Sequence, residues 1–551
     1  MEFIKQPGLK GVDGARNIVV AAFVGCILVF LSQTCYGSAT TDRIYLKSLP
    51  LQGMLSFDNT TAAAKDWGQL RSLKPAAVVY PTAVEDIATI LQAVARSESE
   101  LTVAARGLGH SINGQAQAHN GIVIEMTAMK GIRVMPLGDL GSLHVPYVEA
   151  MGGDLWIDVL KASLEFGLAP RSWTDYLYLT IGGTLSNAGV SGQAFRHGPE
   201  VSNVLQLEVV TGRGELVVCS PISHSDLFFA ILGGLGQFGI ITKARIVLEK
   251  APQRVRWMRA IYTDFATFRR DQELLIRSSS GSPPFDYVEG FVVVNDANPI
   301  NGWGSVPFAP GDISEAMIPP QAGNIMYCLE VTKAYSAADL HNLDQVVENM
   351  LSRLGFHRGL LFKTDTSYLK FLNRLHDVEM QLSAKGLWDQ IPHPWLNLFV
   401  PAASINCFDR LVLKQLKTWD FSGPILVYPL NKSKWDRRLS AAVPEGPEEV
   451  FYIVAFLRNK LPDTLGGPPL SVMLEENENI LRICEPLHCK QYMPHNLDRQ
   501  QWRHHFGSKW DLFVHNKQLF DPCGILSPGQ NIFSRRQISL SNHLEFRGMQ
   551  E

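Results

Sequence analysis

The sequence has no dominant charge. Its 50 Lys and Arg residues against 53 Asp and Glu leave a net charge of −3 over 551 residues. Without a basic excess there is no electrostatic footprint for nucleic acid, and no like-charge run forms an acidic or basic tail. Internal repeats are also missing: the 45 glycines and 31 prolines follow no collagen, solenoid or propeller period. Long hydrophobic runs are lacking too. Residues 18–31 form a 14-residue apolar stretch, short of the ~20 residues a membrane span needs, and no later segment is apolar enough. Cysteine is scarce, with Cys26 and Cys35 near the N-terminus and Cys219, Cys328, Cys407, Cys484, Cys489 and Cys523 beyond. That even remainder permits disulfides, but a chain this long does not need them. No His or Cys spacing reads as a metal site. Hydrophobic residues at 46% and charged residues at 19% exclude disorder on a large scale.

What is present begins with a targeting pattern. Lys5, Lys10 and Arg16 precede the apolar run, and the small residues Gly37, Ser38 and Ala39 follow it. This predicts a signal peptide over residues 1–39, with an uncleaved signal anchor as the alternative. The expectation is a protein secreted to the apoplast or held elsewhere in the secretory pathway. Sequons at Asn59-Thr60-Thr61 and Asn431-Lys432-Ser433 lend modest support to a secreted glycoprotein.

Residues 75–250 read as mixed α and β. A helix is predicted over 82–97, with Thr82 and Glu85 as a capping box and Val84, Ile87, Leu91 and Val94 on one face. Strands are predicted at 101–105, 122–126 and 240–248, and a hairpin from 205–210 and 215–219. Asp154 is predicted to cap a helix running to Phe166, and a short helix to occupy 225–232. Pro252 marks a boundary near 251. Beyond it, strands are predicted at 287–294, 395–400 and 425–428 and helices at 340–354 and 411–419, an α+β pattern.

Two motif matches fail on context. Gly234-Leu235-Gly236-Gln237-Phe238-Gly239 spells G-x-G-x-x-G, but a helix precedes it and a strand follows, the reverse of a dinucleotide site. Gly109-His110-Ser111 approaches a nucleophile elbow, but Asn113 stands where that motif needs glycine.

The segments that carry chemistry are glycine-rich. Ala105-Arg106-Gly107-Leu108-Gly109-His110-Ser111-Ile112-Asn113-Gly114-Gln115 follows a strand, so its backbone N–H groups can form an anion nest around a pyrophosphate. The other reading is a glycine turn with an incidental histidine, and the residues alone leave both open. Thr180-Ile181-Gly182-Gly183-Thr184-Leu185-Ser186-Asn187-Ala188-Gly189 offers a second surface for close approach. Between them, Asp175 sits among aromatic and apolar neighbours, where desolvation raises a carboxylate's pKa and suits proton acceptance; a turn aspartate is the plainer reading.

Together these segments resemble one family, the cytokinin dehydrogenases (cytokinin oxidases) of plants. The resemblance lies in Arg106–Ser111 with Gln115, in Trp173-Thr174-Asp175-Tyr176-Leu177 and in Phe285-Asp286-Tyr287-Val288-Glu289-Gly290. It continues in Pro394-Trp395-Leu396-Asn397-Leu398-Phe399, Val427-Tyr428-Pro429 and Leu526-Ser527-Pro528-Gly529-Gln530-Asn531-Ile532-Phe533. It runs from about residue 70 to 533. It implies an α+β, two-domain FAD-binding fold of vanillyl-alcohol-oxidase type (PCMH-type) with an α+β substrate domain inserted. It also implies FAD bonded covalently to His110. The flavin contacts it implies are Ala105, Gly107, Gly109, Ser111, Gln115, Asp175, Thr180, Ser186, Val190, Ile240 or Ile241, Tyr492, Ser527 and Gln530. Val190 stands where the family would have isoleucine, a small apolar change. The resemblance makes Asp175 the catalytic base and Glu289 its catalytic companion and partner of the adenine ring. Trp395, Asn397 and Tyr428 would line the substrate pocket. The implied reaction is oxidation of the N6-isoprenoid side chain of a cytokinin of isopentenyladenine or zeatin type, yielding adenine and an unsaturated aldehyde. A quinone, or oxygen, would be the electron acceptor, and a monomer is the working expectation.

Two alternatives stand beside this. Another oxidase of the same fold would act on a sugar or an alkaloid; some such relatives attach FAD through both His and Cys, but no cysteine lies between Cys35 and Cys219. A non-catalytic hormone or flavin carrier would need neither His110 nor Asp175. Length alone predicts three to four domains at about 150 residues each. The motif positions reduce this to two: a flavin domain over 70–250 that returns at 491–540, interrupted by a substrate domain at 251–490.

Overall fold

The computed structural model describes residues 42–136, 145–277, 285–294, 319–320, 322–495 and 497–535. The expected signal peptide lies outside them. No helix among the described residues is long and apolar enough to cross a membrane.

The helix predicted at 82–97 forms as Val84–Arg96, burying Ile87, Ile90, Leu91 and Val94 on one face. Its start is not held by Thr82 and Glu85. Asp86 accepts instead from Thr82 N (2.9 Å) and Ala83 N (3.2 Å), and also from Gln52 N (2.7 Å) and Gly53 N (3.0 Å), so one carboxylate caps the helix and fastens a distant strand. The helix packs on a four-stranded sheet of Met54–Ser56 (β1), Ala77–Tyr80 (β2), Val103–Arg106 (β3) and Ile122–Glu125 (β4), in the order β1-β2-β4-β3. β3 and β4 run parallel, which delivers the glycine-rich loop after β3 to the sheet's carboxyl end.

A six-stranded sheet follows. It contains Ile132–Met135 (β5), Tyr147–Met151 (β6), Leu168–Pro170 (β7), Val204–Thr211 (β8), Leu216–Cys219 (β9) and Gly239–Lys250 (β10). β8 and β9 are the predicted antiparallel hairpin. The helix expected after Asp154 is Trp156–Leu164, and Asp154 is not its cap. Its carboxylate instead accepts from Met151 N (2.8 Å) and Gly131 N (3.1 Å), tying the β5–β6 region together.

The third sheet has eight strands: Arg254–Tyr262 (β11), Tyr287–Val294 (β12), Ile325–Tyr335 (β13), Leu361–Ser367 (β14), Leu396–Pro401 (β15), Ile425–Asn431 (β16), Val450–Phe456 (β17) and Lys490–Tyr492 (β18). Their order is β14-β11-β13-β12-β16-β17-β15-β18. β12 coincides with its predicted span and is buried along its whole length, although it carries Tyr287 and Glu289. The helix predicted at 340–354 is Leu340–Leu351. The one predicted at 411–419 does not form: helix Ile405–Leu411 ends there, and two short 3-10 turns follow. Val412 departs from helical geometry at φ −120° and ψ −64°, and the chain breaks there.

After helix Trp510–Phe520 the chain returns to the first sheet. Val103 N donates to Ile525 O (2.8 Å) and Ser527 N to Val103 O (2.9 Å), adding residues 525–527 beside β3. Ile525 and Leu526 share the core of that sheet with the helix Val84–Arg96.

Candidate active site

The glycine-rich segments that are far apart in sequence meet in space. A Cβ at Gly107 would lie 2.1 Å from Thr180 Oγ1, so the loop after β3 packs directly on the start of helix Ile181–Leu185. Gly109 adopts φ +68°, a conformation that only glycine takes without strain. A Cβ at Gly529 would meet Gly114 O at 2.0 Å, and Ser527 Oγ donates to Gly236 O (2.9 Å). Tyr492 OH accepts from Gly189 N (3.2 Å). Ile240 and Ile241 are buried on β10, and a Cβ at Gly152 would lie 2.0 Å from Ile241 O. Val190 is buried, and Ala105 lies opposite Ile124 in the β3–β4 register.

Some expected flavin contacts spend their polar atoms locally. Ser111 Oγ donates to Asp66 Oδ2 (3.0 Å), Gln115 Oε1 accepts from Asn113 N (2.8 Å), and Ser186 Oγ donates to Gly182 O (2.7 Å). These bonds shape the loops. His110 Nε2 and Gln530 Oε1, by contrast, are buried and have no hydrogen-bond partner among the described residues. Unpaired buried polar atoms are costly. A lining of close-set backbone with two orphaned polar atoms fits a large polar cofactor.

His110 is also fixed from one side. Its ring stacks on Trp67 at 4.3 Å between centroids, and Trp67 stacks on His393 at 3.6 Å. Trp395 meets Trp67 edge-on at 4.5 Å. Burial pushes the pKa of His110 down to about 4, so the imidazole is neutral at ordinary pH.

The acidic centre lies where the Asp175 segment meets the eight-stranded sheet. Tyr287 O–H donates to Asp175 Oδ1 at 3.0 Å. Arg374 opens the helix Arg374–Ser383, and its Nη2 donates to Tyr287 OH at 2.5 Å. The same Nη2 lies 3.6 Å from Asp175 Oδ1, Glu289 Oε2 and Glu330 Oε1. Arg259 Nε donates to Glu330 Oε2 at 2.6 Å. Burial raises the pKa of Asp175, while Arg374 and hydrogen bonds from Glu289 and Tyr287 pull it back. Glu289 is driven well above the usual carboxylate range by burial and by the charge of Asp175, against the pull of Arg374. Each acid acts on the other in the opposite sense, holding Asp175 down and pushing Glu289 up, which favours the neutral form on Glu289. Glu289 Oε1 is buried with no partner among the described residues.

Of the remaining predicted positions, Tyr428 is buried, which raises its pKa, and lies close enough to the Glu289–Asp175 pair for the pair's negative charge to raise it further. Asn397 lies opposite Tyr492 in the β15–β18 register. Trp395 belongs to the Trp67–His110 stack. The structure therefore joins Asp175, Glu289 and Tyr428 in one centre and sets Trp395 against Trp67, the ring that stacks on His110.

Sequence reasoning missed Trp67, Glu330, Arg259 and Arg374. Glu330 had a signal, a charge inside the apolar strand β13. Tyr287 had one too, two residues before Glu289 on a strand and so on the same face. Arg374 had none.

Comparison with known proteins identifies the family. A family model described as "Cytokinin dehydrogenase 1, FAD and cytokinin binding" matches residues 252–533, and one described as "FAD binding domain" matches 75–220. Cytokinin dehydrogenase 1 of Arabidopsis thaliana is 46% identical over 505 residues, 91% of this chain and 86% of that one. Cytokinin dehydrogenase 5 of the same plant is 50% identical over 483 residues, 87% of this chain and 88% of that one. Cytokinin dehydrogenase 9 of Oryza sativa subsp. japonica is 48% identical, covering 90% of this chain and 93% of its own. Among solved structures, 6-hydroxy-D-nicotine oxidase from Arthrobacter nicotinovorans superposes with a TM-score of 0.59 at 16% identity, over 86% of this chain and 96% of that one, a likeness of fold alone. With an FAD-binding fold of vanillyl-alcohol-oxidase type and this degree of identity along nearly its whole length, the chain belongs to the cytokinin dehydrogenase family.

Proposed function

We propose that the protein oxidises cytokinins, with Asp175 as proton acceptor and FAD as oxidant. The observation that carries this reading is the buried pair of Asp175 and Glu289 around Arg374, with Tyr287 on one Asp175 oxygen and an unpartnered Glu289 oxygen. An adenine bearing an N6-isoprenoid chain offers two complementary features, a ring N–H for the free Glu289 oxygen and a secondary amine N–H for Asp175. Tyr428, Trp395 and Asn397 would enclose the ligand and exclude water.

Asp175 takes the amine proton as the allylic C–H bond breaks. Its raised pKa makes it a stronger base than an exposed aspartate, and the Tyr287 hydroxyl on Oδ1 orients the carboxylate so that its other oxygen receives the proton. Bound FAD supplies a two-electron acceptor for the hydride of that carbon. The imine that leaves Asp175 hydrolyses to adenine and an unsaturated aldehyde. Anaerobic isopentenyladenine is expected to bleach the flavin absorbance of the purified protein, whereas sugars and alkaloids leave it unchanged. No bleaching by any N6-isoprenoid adenine would sink the reading.

His110 is the proposed point of covalent attachment. The support is a neutral imidazole with an orphaned nitrogen, held by Trp67 in the loop after β3. Around it, Ala105, Gly107, Gly109, Ser111, Gln115, Thr180, Ser186, Val190, Ile240, Ile241, Tyr492, Ser527 and Gln530 form the proposed cofactor lining, with Asp175 at its edge. Acid-precipitated protein should remain yellow, and His110→Ala should release its flavin to the supernatant. Flavin released from the unaltered protein would rule out the covalent bond.

The flavin-binding part is proposed as 70–250 and 491–540 around a substrate part at 251–490; the pairing of residues 525–527 with β3 supports the return. A quinone, ahead of oxygen, is the proposed acceptor, and the protein the proposed monomer. Passage through the secretory pathway is proposed from the N-terminal pattern. Asn59 is exposed and free for a glycan. Asn431 is not suited, because its Nδ2 donates to Phe195 O (2.9 Å) and Ile276 O (3.2 Å).

A further inference from the structure

We propose that Arg374 is a positioning residue for the acid pair: its guanidinium orients Asp175 through Tyr287 and sets the pH at which Asp175 loses its charge. The inference rests on the reading of Asp175 as base.

The sheet register creates the need for such a residue. Arg259 on β11 lies opposite Glu330 on β13, and Glu330 lies opposite Glu289 on β12. Two carboxyl groups directly opposite across a ladder repel, and Asp175 brings a third. Arg259 answers one oxygen of Glu330 at 2.6 Å. Arg374 is the group within 3.6 Å of all three acids, reaching the other oxygen of Glu330, Oε2 of Glu289 and Oδ1 of Asp175. Three carboxyls against two guanidiniums leave one negative charge too many in a buried site. Burial and the charge of Asp175 push the pKa of Glu289 up, which favours its neutral form and relieves that excess.

Donor chemistry fixes the orientation. A guanidinium has only donors. The Tyr287 oxygen therefore accepts from Arg374, and the single proton of the phenol is committed to Asp175. The chain Arg374→Tyr287→Asp175 runs in one direction and leaves the other Asp175 oxygen for a ligand N–H. Arg374 itself is held by its Nη1, which donates to Phe371 O (3.3 Å), and by the Phe371 and Tyr287 rings, 4.6 and 5.2 Å from the guanidinium carbon. Among the described residues, the phenols of Tyr428 and Tyr492 also lie close enough to interact with Asp175. Burial raises the pKa of both, so they stay neutral.

The sign of the effect follows. Base activity is lost as pH falls through the pKa of Asp175. A cation beside it lowers that pKa, and an anion raises it. Removing Arg374 must move the acid limb of the rate profile up, and neutralising Glu330 must move it down. A substitution that only loosens the fold would lower rates without moving the limb in opposite directions.

The test uses the flavin-loaded protein as Arg374→Met, Arg374→Lys and Glu330→Gln. Anaerobic flavin reduction by isopentenyladenine and calorimetric adenine binding are both followed against pH. Arg374→Met should raise the acid limb by about 1–3 units, with Arg374→Lys between it and the unaltered protein. Glu330→Gln should lower the limb by about one unit, and adenine affinity should show displacements of the same sign. Limbs that coincide with the unaltered protein in the soluble variants would overturn the role of Arg374. Should Arg374→Met not fold, Arg374→Lys and Glu330→Gln decide the matter by the same criteria. Absence of bleaching in the unaltered protein would instead remove the assignment of Asp175, so the two failures are distinct.

Discussion

Asp175→Asn is expected to bind isopentenyladenine and yet to reduce its flavin about 10²–10⁴-fold more slowly. Asparagine matches aspartate in shape, and its carbonyl oxygen can still accept the Tyr287 hydroxyl that reaches Asp175 Oδ1 at 3.0 Å. The amide has no basic oxygen, so the amine proton has no acceptor as the C–H bond breaks. Binding should survive for an electrostatic reason. The charge of Asp175 is a leading cause of the high pKa of Glu289. Without that charge Glu289 is free to ionise beside Arg374, and the cluster keeps its balance. Stopped-flow reduction under anaerobic conditions gives the rate, and the perturbation of the flavin spectrum by ligand gives the affinity. A variant reduced at a near-normal rate would exclude Asp175 as the base.

The parts of the fold legible in the sequence were those dictated by local chemistry. The helix Val84–Arg96 followed from apolar spacing, and the β8–β9 hairpin from two β-rich runs around a glycine turn. β12 was legible because its apolar run is unbroken apart from the polar pair that serves the site. The errors share a cause. Asp86 replaces the expected Thr82–Glu85 cap because Gln52 and Gly53 arrive from 34 and 33 residues away to share its carboxylate. Asp154 is drawn from its helix by Gly131, 23 residues earlier. Spacing within a window reports what a helix can do alone and says nothing of partners brought in by tertiary structure.

The site divides in the same way. His110 and the glycine segments were visible as local motifs, and Asp175 and Glu289 through the family resemblance. The network that governs the two acids was invisible. Arg374 sits in an amphipathic helical stretch, where a basic residue reads as solvated surface. Its partners Tyr287 and Asp175 lie 87 and 199 residues away by number. Trp67 precedes the recognisable motifs, and only the fold stacks it on His110. A sequence shows which groups can ionise. Which of them share a proton depends on distances that only the folded sheet sets.

Asp521→Ala should be the most destabilising single change outside the acidic centre, costing about 3–5 kcal/mol. Lys517 and Asp521 form an ion pair at 2.7 Å with side chains 1% and 0% exposed. Lys517 Nζ also donates to Gln237 O and Oε1 (both 3.0 Å) and to Leu526 O (3.3 Å). Asp521 accepts from Ile525 N (3.1 Å) and Leu526 N (2.9 Å). The pair thus fastens the loop before β10 to the strand-like return that carries Ser527 and Gln530. Removing the carboxylate strands a buried ammonium, whose pKa burial already lowers, and leaves two backbone N–H groups without their acceptor. A fall of roughly 5–15 °C in the thermal midpoint is expected. The double variant Lys517→Met with Asp521→Leu removes both charges, so it should recover part of that loss, although the backbone donors remain unpaired. Because the return carries Ser527 and Gln530, flavin fluorescence should rise at a lower temperature in Asp521→Ala than in the unaltered protein. A midpoint within 1–2 °C of the unaltered protein, roughly the size of a surface substitution, would show that the pair does not hold this end of the chain in place.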